Sequence, residues 1–241
     1  MKALVLREDS LRIEEVEEGE LLPGHARLQV LKAGLCGSDM HRLNKPGVGQ
    51  TAILGHEFVG KVLDLNPGND GGRISTRIGD IAAACPTLPC AGCQNCRSDN
   101  DHLCSSFHGV GRDVRGAFAE RVDVPLANLF TIPEGVSYQP SVLADVVAVC
   151  LHAIDEIAVN VVGKRCLVVG DGAVGTTLAA VLSKRGAKSV SLSGKHPQNH
   201  ELLASIAPVQ VVDRDDKTQY ECVFETVGRR QLDTIEQAIS S

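Results

Sequence analysis

Four cysteines with the spacing of metal ligands lie close together in the chain. The segment reads Cys90-Ala-Gly-Cys93-Gln-Asn-Cys96, and Cys104 follows eight residues later. Four thiolates within fifteen residues can close a tetrahedral site around Zn²⁺, and a site of four cysteine ligands without a vacant position is typical of a structural zinc. The alternatives are four unrelated reduced thiols or a redox CxxC pair, which usually opens a helix beside a βαβ unit. The density of cysteines favours a structural zinc lobe at about residues 85–110.

A second group of residues that could bind a metal or move a proton lies nearer the N-terminus. Its members stand in two segments about twenty residues apart: Cys36, Ser38, Asp39, His41, His56 and Glu57. Each is a weak signal alone, because a lone cysteine is usually a small buried side chain and a lone histidine usually has a structural role. A function for this group therefore depends on the rest of the sequence.

A glycine-rich segment in the second half of the chain could hold a nucleotide. It reads Gly170-Asp-Gly172-Ala173-Val174-Gly175 and fits the pattern GxGxxG. The segment follows an apolar strand and precedes a helix, which is the context that dinucleotide binding requires. The first two glycines permit a tight turn and the close approach of a pyrophosphate to the helix N-terminus, and the third lets helix and strand pack closely. The alternative is a glycine turn without a ligand.

These motifs fall in two parts of the chain with different patterns. Up to about residue 140, short alternating segments interrupted by Pro-Gly turns predict a β-rich domain. After that point apolar strands alternate with helices, which implies parallel βαβ units. The predicted elements of this part are strands at 165–170, 188–193, 209–213 and 222–227 and helices at 174–185, at 200–206 and from about 231. We therefore predict two domains, 1–145 and 146–241.

The bulk composition argues against several classes of function. The 241 residues carry a formal net charge of −6, whereas nucleic acids and anionic membranes are bound by basic surfaces. No apolar run approaches the length of a membrane span, and the N-terminal apolar stretch is too short for a secretory signal. Nine cysteines without such a signal suit a compartment that keeps thiols reduced. We expect a cytoplasmic protein whose partner is a small molecule, with neither nucleic acid nor membrane as a partner.

Taken together, the motifs resemble the zinc-dependent medium-chain alcohol and polyol dehydrogenases, particularly the sorbitol, threonine and galactitol-phosphate dehydrogenase branch. Three further matches occur in the family's order: Gly116-Ala-Phe-Ala-Glu120, Leu151-His152-Ala153 and Phe224-Glu-Thr-Val-Gly228. The resemblance implies a mixed fold, with a GroES-like β-rich catalytic domain followed by an α/β Rossmann-type parallel-sheet domain. In that family the second domain has two further strands, so we expect it to be incomplete here at the C-terminus. The full-length form is expected to be a homodimer or homotetramer.

The resemblance assigns the ligands of a catalytic zinc in addition to the structural one. Cys36 and His56 would bind it, with Glu57 as a direct or intermittent ligand, and an open position would remain for substrate. In the polyol branch a glutamate at or near the metal precedes the Leu-His-Ala stretch. Asp145 occupies that position here, with a side chain one methylene shorter. Cys150 is the other nearby thiol, but its register does not match, so we favour Asp145.

The same resemblance implies a reaction and its proton path. Asp39 would orient the histidine ligand. Ser38 would take the proton of the alcohol and pass it through the nicotinamide ribose to His41, although His41 could also be a surface histidine. The implied function is hydride transfer between NAD(P) and a secondary alcohol of a polyol, sugar or amino-alcohol, which yields a ketone. The alternative, suggested by Asp145 and the incomplete second domain, is a catalytically impaired zinc- and nucleotide-binding homologue with a non-enzymatic role.

The segment after the second predicted strand bears on the choice of cofactor. A carboxylate about twenty residues beyond the glycine motif bonds the adenosine ribose hydroxyls in NAD-binding domains. The resemblance puts Gly194 at that position, so both the hydrogen bonds to ribose and the repulsion of a 2′-phosphate are missing. Ser193 can donate to a phosphate, Lys195 supplies positive charge, and His196 could assist. We therefore expect NADP rather than NAD, unless Lys195 is simply a solvated side chain and nucleotide binding has been lost.

Overall fold

The computed structural model describes residues 1–7, 10–43, 52–68, 76–214, 216–228 and 232–240. These residues form two compact units, Met1–Asp145 and Val146–Ser241. The first unit is built mainly from antiparallel strands and the second from parallel strands and helices. The mixed fold class predicted above is thereby confirmed. Among the described residues, no helix combines the length and the apolar content that crossing a membrane requires.

Among its described residues, the first unit contains ten short strands, three short α-helices and two 3-10 helices (Asp101–Leu103 and Leu126–Asn128), and a fourth α-helix begins at its end. The strands are β1 (Lys2–Arg7), β2 (Ser10–Glu15), β3 (His25–Ala33), β4 (Ala52–Ile53), β5 (Phe58–Asn66), β6 (Ile81–Ala84), β7 (Thr87–Leu88), β8 (His108–Gly109), β9 (Arg121–Pro125) and β10 (Leu129–Thr131). The helices are α1 (Gly37–Leu43), α2 (Gln94–Arg97), α3 (Tyr138–Ser141) and α4 (Ala144–Glu156). The strands pair in the orders β2-β1-β4, β10-β6-β5-β3-β9 and β7-β8.

Alternation of small apolar side chains builds the core of the five-stranded sheet. Ala26 and Leu28 on β3 are fully buried and lie opposite Val124 and Val122 on β9. Successive side chains of a strand point to opposite faces, so the period of two puts these residues on one face. The segments that carry the candidate ligands emerge from the ends of these strands, at Ala33 and before Phe58.

In the part of the chain that the structure describes, the second unit is a four-stranded parallel sheet with helices. Its elements are β11 (Arg165–Val169), α5 (Ala173–Lys184), β12 (Ser189–Ser193), α6 (Pro197–Ile206), β13 (Val209–Val211), β14 (Cys222–Glu225) and α7 (Leu232–Ser240). The strand order is β13-β12-β11-β14. The order reverses at β11, and ligands of open parallel sheets bind beyond the carboxyl ends of the strands at such a switch point.

The buried apolar residues of the second unit explain why its strands and helices form where the sequence predicts them. β11 is buried from Cys166 to Val169, as expected for a central parallel strand covered on both faces. Leu178 and Leu182 of α5 pack into the same cluster. Helix α6 begins at Pro197, about one turn before its predicted start, because proline is well accommodated in the first turn of a helix.

Candidate metal centres and nucleotide site

The four cysteines of the predicted zinc lobe, hereafter the cysteine lobe, converge in space. All four Sγ atoms lie within 4.8 Å of one another. Cys93 Sγ is 3.5 Å from Cys96 Sγ and 4.0 Å from Cys104 Sγ, and Cys90 Sγ is 3.9 Å from Cys96 Sγ. A tetrahedron with Zn–S bonds of about 2.3 Å has S···S edges of about 3.8 Å, so the spacing fits four thiolates around one zinc.

Backbone amides stabilise negative charge on this lobe. The N–H of Cys93 donates to Cys90 Sγ at 3.3 Å, and the N–H of Cys90 donates to Cys104 Sγ at 3.3 Å. Hydrogen bonds from the backbone of Cys96 and Ser105 lower the pKa of Cys93 to about 5. Burial and the neighbouring Cys93 thiol raise the pKa of Cys96 to about 12. The lobe therefore holds at least one ready thiolate, which is the protonation state that metal binding needs.

A second set of ligand atoms converges from two segments. Cys36 Sγ, one imidazole nitrogen of His56 and one carboxylate oxygen of Glu57 lie within 4.8 Å of one another. We call these three residues the upstream cluster. Cys36 immediately precedes α1, and its carbonyl accepts the N–H of Asp39 at 3.1 Å. The sequence-predicted ligands Cys36, His56 and Glu57 are thus brought together.

Two glycines make room for the upstream cluster. Gly55 has φ +92°, and a Cβ there would lie 2.5 Å from the ring of Phe118. A Cβ at Gly34 would lie 2.6 Å from Oε2 of Glu57. At Gly55 the left-handed backbone and the ring of Phe118 both favour glycine, whereas at Gly34 a side chain would have to displace the Glu57 carboxylate.

Asp39 links the two segments of the upstream cluster. Its side chain is only 3% exposed and lies 3.5 Å from Nδ1 of His56. Oδ2 accepts the Cys36 N–H at 3.1 Å, and Oδ1 accepts the Gly55 N–H at 3.4 Å. Burial raises the pKa of Asp39, but these hydrogen bonds outweigh burial and the net pKa is lowered. Hydrogen bonds to Asp39 and Cys36 raise the pKa of His56 to about 10.

The two candidates for a further ligand lie in different surroundings. Asp145, in the first turn of α4, is outside the group of ligand atoms that lie within 4.8 Å of one another. Burial and the negative charge of Glu57 raise its pKa, while His56 opposes them. The Cys150 thiol is 1% exposed and belongs to the core of the second unit, with Sγ 3.6 Å from the Val174 carbonyl.

The predicted proton-path residues Ser38 and His41 line a cleft of about 380 Å³ in the first unit. Nδ1 of His41 is buried and has no hydrogen-bond partner among the residues that the structure describes. Arg42 lines the same cleft, and its guanidinium donates to the carbonyls of Gly111 and Arg112 at 3.0 and 2.9 Å. Sequence reasoning missed Arg42, since its partners lie about seventy residues away and no local pattern marks them.

The glycine motif forms the strand-turn-helix that its pattern predicts. Gly170 has φ +109°, and a Cβ there would lie 2.7 Å from Oγ1 of Thr226. Gly172 is the N-cap of α5, and no side chain caps the helix there. The backbone N–H groups of the first turn, which includes Ala173 and Val174, are therefore free to donate to a ligand. A Cβ at Gly175 would overlap the carbonyl of Gly170. Gly170 and Gly175 therefore have the steric roles that the motif assigns to its first and third glycines, while the space beside Gly172 is open.

The second βα turn, after β12, differs in part from the prediction. Lys195 is exposed, as expected of a residue that meets a ligand. Ser193 is only 6% exposed, and its Oγ accepts a hydrogen bond from the Gln237 side chain at 3.2 Å. Its hydroxyl is therefore engaged inside the unit. Gly194 lies against Asp171, the second residue of the glycine motif, which sequence reasoning had not singled out.

Asp171 makes the densest polar contacts of the second unit. The carboxylate is buried and accepts the backbone N–H of His196 at 2.5 Å. Nδ1 of His196 lies 2.7 Å from Oδ1, and Nε2 of His200 lies 2.8 Å from Oδ2. Burial would raise the pKa of Asp171, but the hydrogen bonds prevail and lower it to about 2. The only sequence signal was an acidic residue inside the motif, which the pattern GxGxxG treats as variable.

Comparison with known proteins identifies relatives of both units. Residues 22–134 match the family described as alcohol dehydrogenase GroES-like domain. The L-threonine 3-dehydrogenase of Stenotrophomonas maltophilia is 32% identical over 224 residues, which is 88% of this chain and 63% of that protein. The chain thus spans less than two thirds of the length of this curated relative.

Solved structures agree over nearly the whole chain. Galactitol-1-phosphate dehydrogenase from Escherichia coli superposes with a TM-score of 0.86 at 26% identity, covering 100% of this chain and 72% of that one. A zinc-binding dehydrogenase from Sinorhizobium meliloti bound to NADP has a TM-score of 0.88 at 24% identity, covering 99% and 72%. The family resemblance predicted from the motifs is confirmed.

Proposed function

We propose that this protein is a zinc-dependent oxidoreductase. The premise is that residues 22–134 belong to the alcohol dehydrogenase GroES-like domains and that the whole chain resembles zinc-dependent alcohol and polyol dehydrogenases. It would transfer hydride between NAD(P) and a secondary alcohol of a polyol, sugar or amino-alcohol. The corresponding ketone is the substrate of the reverse reaction. The predicted homodimer or homotetramer of the full-length form stays a prediction.

The convergence of Cys36, His56 and Glu57 carries this proposal. A thiolate, an imidazole and a carboxylate within 4.8 Å of one another form a donor set that suits zinc and leaves a position for substrate. A zinc ion bound there would supply Lewis-acid chemistry that lowers the pKa of an alcohol. Asp39, buried beside Nδ1 of His56, would keep the imidazole oriented.

The cysteine lobe fits a second zinc with a different role. Its four sulfurs would complete the coordination of the metal and leave no position for substrate. A site of this kind contributes to folding and takes no part in the reaction. We therefore propose one catalytic and one structural zinc.

The cleft beside the upstream cluster supports a proton path through Ser38 and His41. Ser38 would accept the proton of the alcohol, and His41 would hold it at an imidazole nitrogen before release to solvent. A buried Nδ1 without a described partner supports such a role, because buried polar atoms are normally satisfied and an exception calls for an explanation.

The glycine turn would hold the nucleotide, with NADP preferred to NAD. Gly170, Gly172 and Gly175 allow a pyrophosphate to approach the N-terminus of α5. Position 194 has no carboxylate to bond ribose hydroxyls, and the exposed Lys195 adds positive charge beside it. Both features favour a 2′-phosphate.

A catalytically impaired homologue is the second candidate. It is favoured by Asp145, which stands where the polyol branch has a glutamate, has a side chain one methylene shorter, and lies outside the group of mutually close ligand atoms. Such a protein would still retain two zinc ions and a nucleotide. Measured turnover distinguishes it from the enzyme.

The test is a scan of polyols, sugar alcohols and amino-alcohols with NADP⁺ and NAD⁺, followed by absorbance of the reduced nicotinamide. We expect turnover of a secondary alcohol, lost in Cys36→Ser and retained in Cys85→Ser, which alters an exposed cysteine outside both groups of ligands. Zinc analysis of each variant separates loss of metal from loss of fold. Zinc and nucleotide binding without turnover of any substrate would support the impaired homologue.

A further inference from the structure

The Asp171 side chain fills the space that a side chain at position 194 would need. A Cβ at Gly194 would overlap the carboxyl group of Asp171. The two residues follow neighbouring strands of the sheet, β11 and β12, whose last residues Val169 and Ser193 are paired in register. The two turns therefore meet at the carboxyl edge of the sheet beside the strand-order switch, where the nucleotide is proposed to bind.

The Asp171 carboxylate is closed to an incoming ligand. Asp171 is only 4% exposed, and three donors already occupy it: the N–H and Nδ1 of His196, and Nε2 of His200. Asn199 adds a hydrogen bond from its side chain to the Asp171 carbonyl at 2.7 Å. A carboxylate has about four acceptor positions, so little capacity is left for ribose hydroxyls.

These contacts tie the turn after β12 to the glycine motif. His196 is the N-cap of α6 and makes no side-chain cap of its own. Asp171 accepts the backbone N–H of this N-cap residue from 25 residues away in the sequence, as the glutamate of a capping box does from within a helix. Because Nδ1 of His196 is held by Asp171 while its side chain remains 57% exposed, the other edge of the imidazole is open to solvent.

The charges around the turn favour an anion. Lys195 is exposed and forms no ion pair within the part of the chain that the structure describes. The Asp171 carboxylate is buried and hydrogen-bonded to the imidazoles of His196 and His200, so it presents no exposed negative charge to an incoming anion. An incoming phosphate would meet the Lys195 ammonium and the outer edge of His196 before it met the buried carboxylate.

We infer that Asp171 is the positioning residue that sets nucleotide specificity in this chain. It keeps position 194 free of a side chain, it is closed to ribose hydroxyls, and it holds His196, next to the exposed Lys195, where a 2′-phosphate can bind. This inference rests on the proposed function, since it concerns the same nucleotide site. Position 194 has no carboxylate, and the carboxylate beside it, that of Asp171, is bound by His196 and His200 instead of ribose hydroxyls.

The first experiment tests the steric part without any nucleotide. Gly194→Ala is measured by thermal unfolding in the unaltered chain and in the Asp171→Gly background. We expect Gly194→Ala to lower Tm clearly in the unaltered chain and to have little effect when Asp171 is gone, because the overlapping group has been removed. Equal losses of Tm in the two backgrounds would overturn the steric claim.

The second experiment measures dissociation constants of NADPH and NADH by fluorescence titration and calorimetry. Asp171→Asn places an amide N–H₂ against the N–H donors of His196 and His200, so the turn after β12 should be released. NADPH should then bind about tenfold more weakly, while the dissociation constant of NADH should change little. Glu221→Gln is the matched control: Glu221 pairs with Lys164 and Arg165 at the amino end of β11, on the other edge of the sheet. It should leave both constants unchanged.

A double variant moves the carboxylate to position 194. Asp171→Gly combined with Gly194→Asp should favour NADH over NADPH, because the new carboxylate can accept ribose hydroxyls and repels a 2′-phosphate. If both nucleotides bind and Asp171→Asn leaves the ratio of their constants unchanged, the inference is wrong and the proposed function stands. If the unaltered chain binds neither nucleotide, the proposed function and the inference fail together.

Discussion

The cysteine lobe and the upstream cluster bring ligand atoms equally close, yet the chain builds them differently. The lobe takes all four sulfurs from one segment, Cys90–Cys104, and backbone N–H groups of that segment donate to them. The upstream cluster joins two segments and depends on the buried Asp39 to connect them. The lobe is therefore a local structure, whereas the cluster is a product of the tertiary fold.

The ligand atoms of the cysteine lobe and of the upstream cluster also differ in number and chemistry. Four sulfurs would complete a tetrahedral site, which suits a metal that holds a loop in place. The three different donors of the upstream cluster would leave one position open on a metal, and His56 among them lines a cleft. Disruption of the lobe should thus affect folding first, and disruption of the cluster should affect chemistry first.

The largest expected effect is that of Cys93→Ser. It removes a sulfur that lies 3.5 Å from Cys96 Sγ and 4.0 Å from Cys104 Sγ, and a structural zinc supplies much of the folding free energy of a small loop. We expect zinc to fall from about two per chain to about one, and Tm to fall by at least about 10 °C. Elemental analysis and calorimetry measure both. Cys85→Ser, which alters a cysteine that is not one of the four ligands, should change neither, and a metal-replete preparation without zinc would refute both sites.

His56→Ala should give the opposite result. Turnover should fall by at least about a thousandfold, because the metal that polarises the alcohol is lost. Tm should change little, since the imidazole lies at the edge of a cleft and contributes no core packing. Zinc content should again fall to about one per chain. A large loss of Tm would show that the upstream cluster is also structural, and the contrast with the lobe would disappear.

Asp39→Asn tests whether the connection between the two segments matters. The amide keeps the shape of the side chain but faces the N–H of Cys36 or Gly55 with a donor. We expect the affinity of the upstream cluster for zinc to fall about 10- to 100-fold while the lobe retains its metal. Competition with a chromophoric chelator measures this difference. Asp123→Asn, which alters a carboxylate paired with Arg27 in the same unit, is the control and should retain both metals.

The contrast between local and tertiary construction also explains what the sequence could predict. The spacing of the four cysteines and the strand-turn-helix around Gly170 are local, and both patterns indicated the geometry that is found. Helix α4 was not predicted, because no cap or glycine marks its start in the segment before Ala144. The contacts of Asp171 with His196 and His200 join residues 25 and 29 positions apart, so no motif could reveal them.

The smallest expected effect is that of Asp145→Ala, and it decides how far the upstream cluster extends. Asp145 lies close enough for Glu57 to raise its pKa and for His56 to oppose that rise, yet it is not among the mutually close ligand atoms. If Asp145 reaches the metal when zinc is bound, its removal should weaken retention of the catalytic zinc several-fold and leave the lobe metal in place. Dialysis against a chelator followed by zinc analysis measures this loss. Unchanged retention would assign Asp145 to the surroundings of the site, and the cluster would then hold its metal with Cys36, His56 and Glu57 alone.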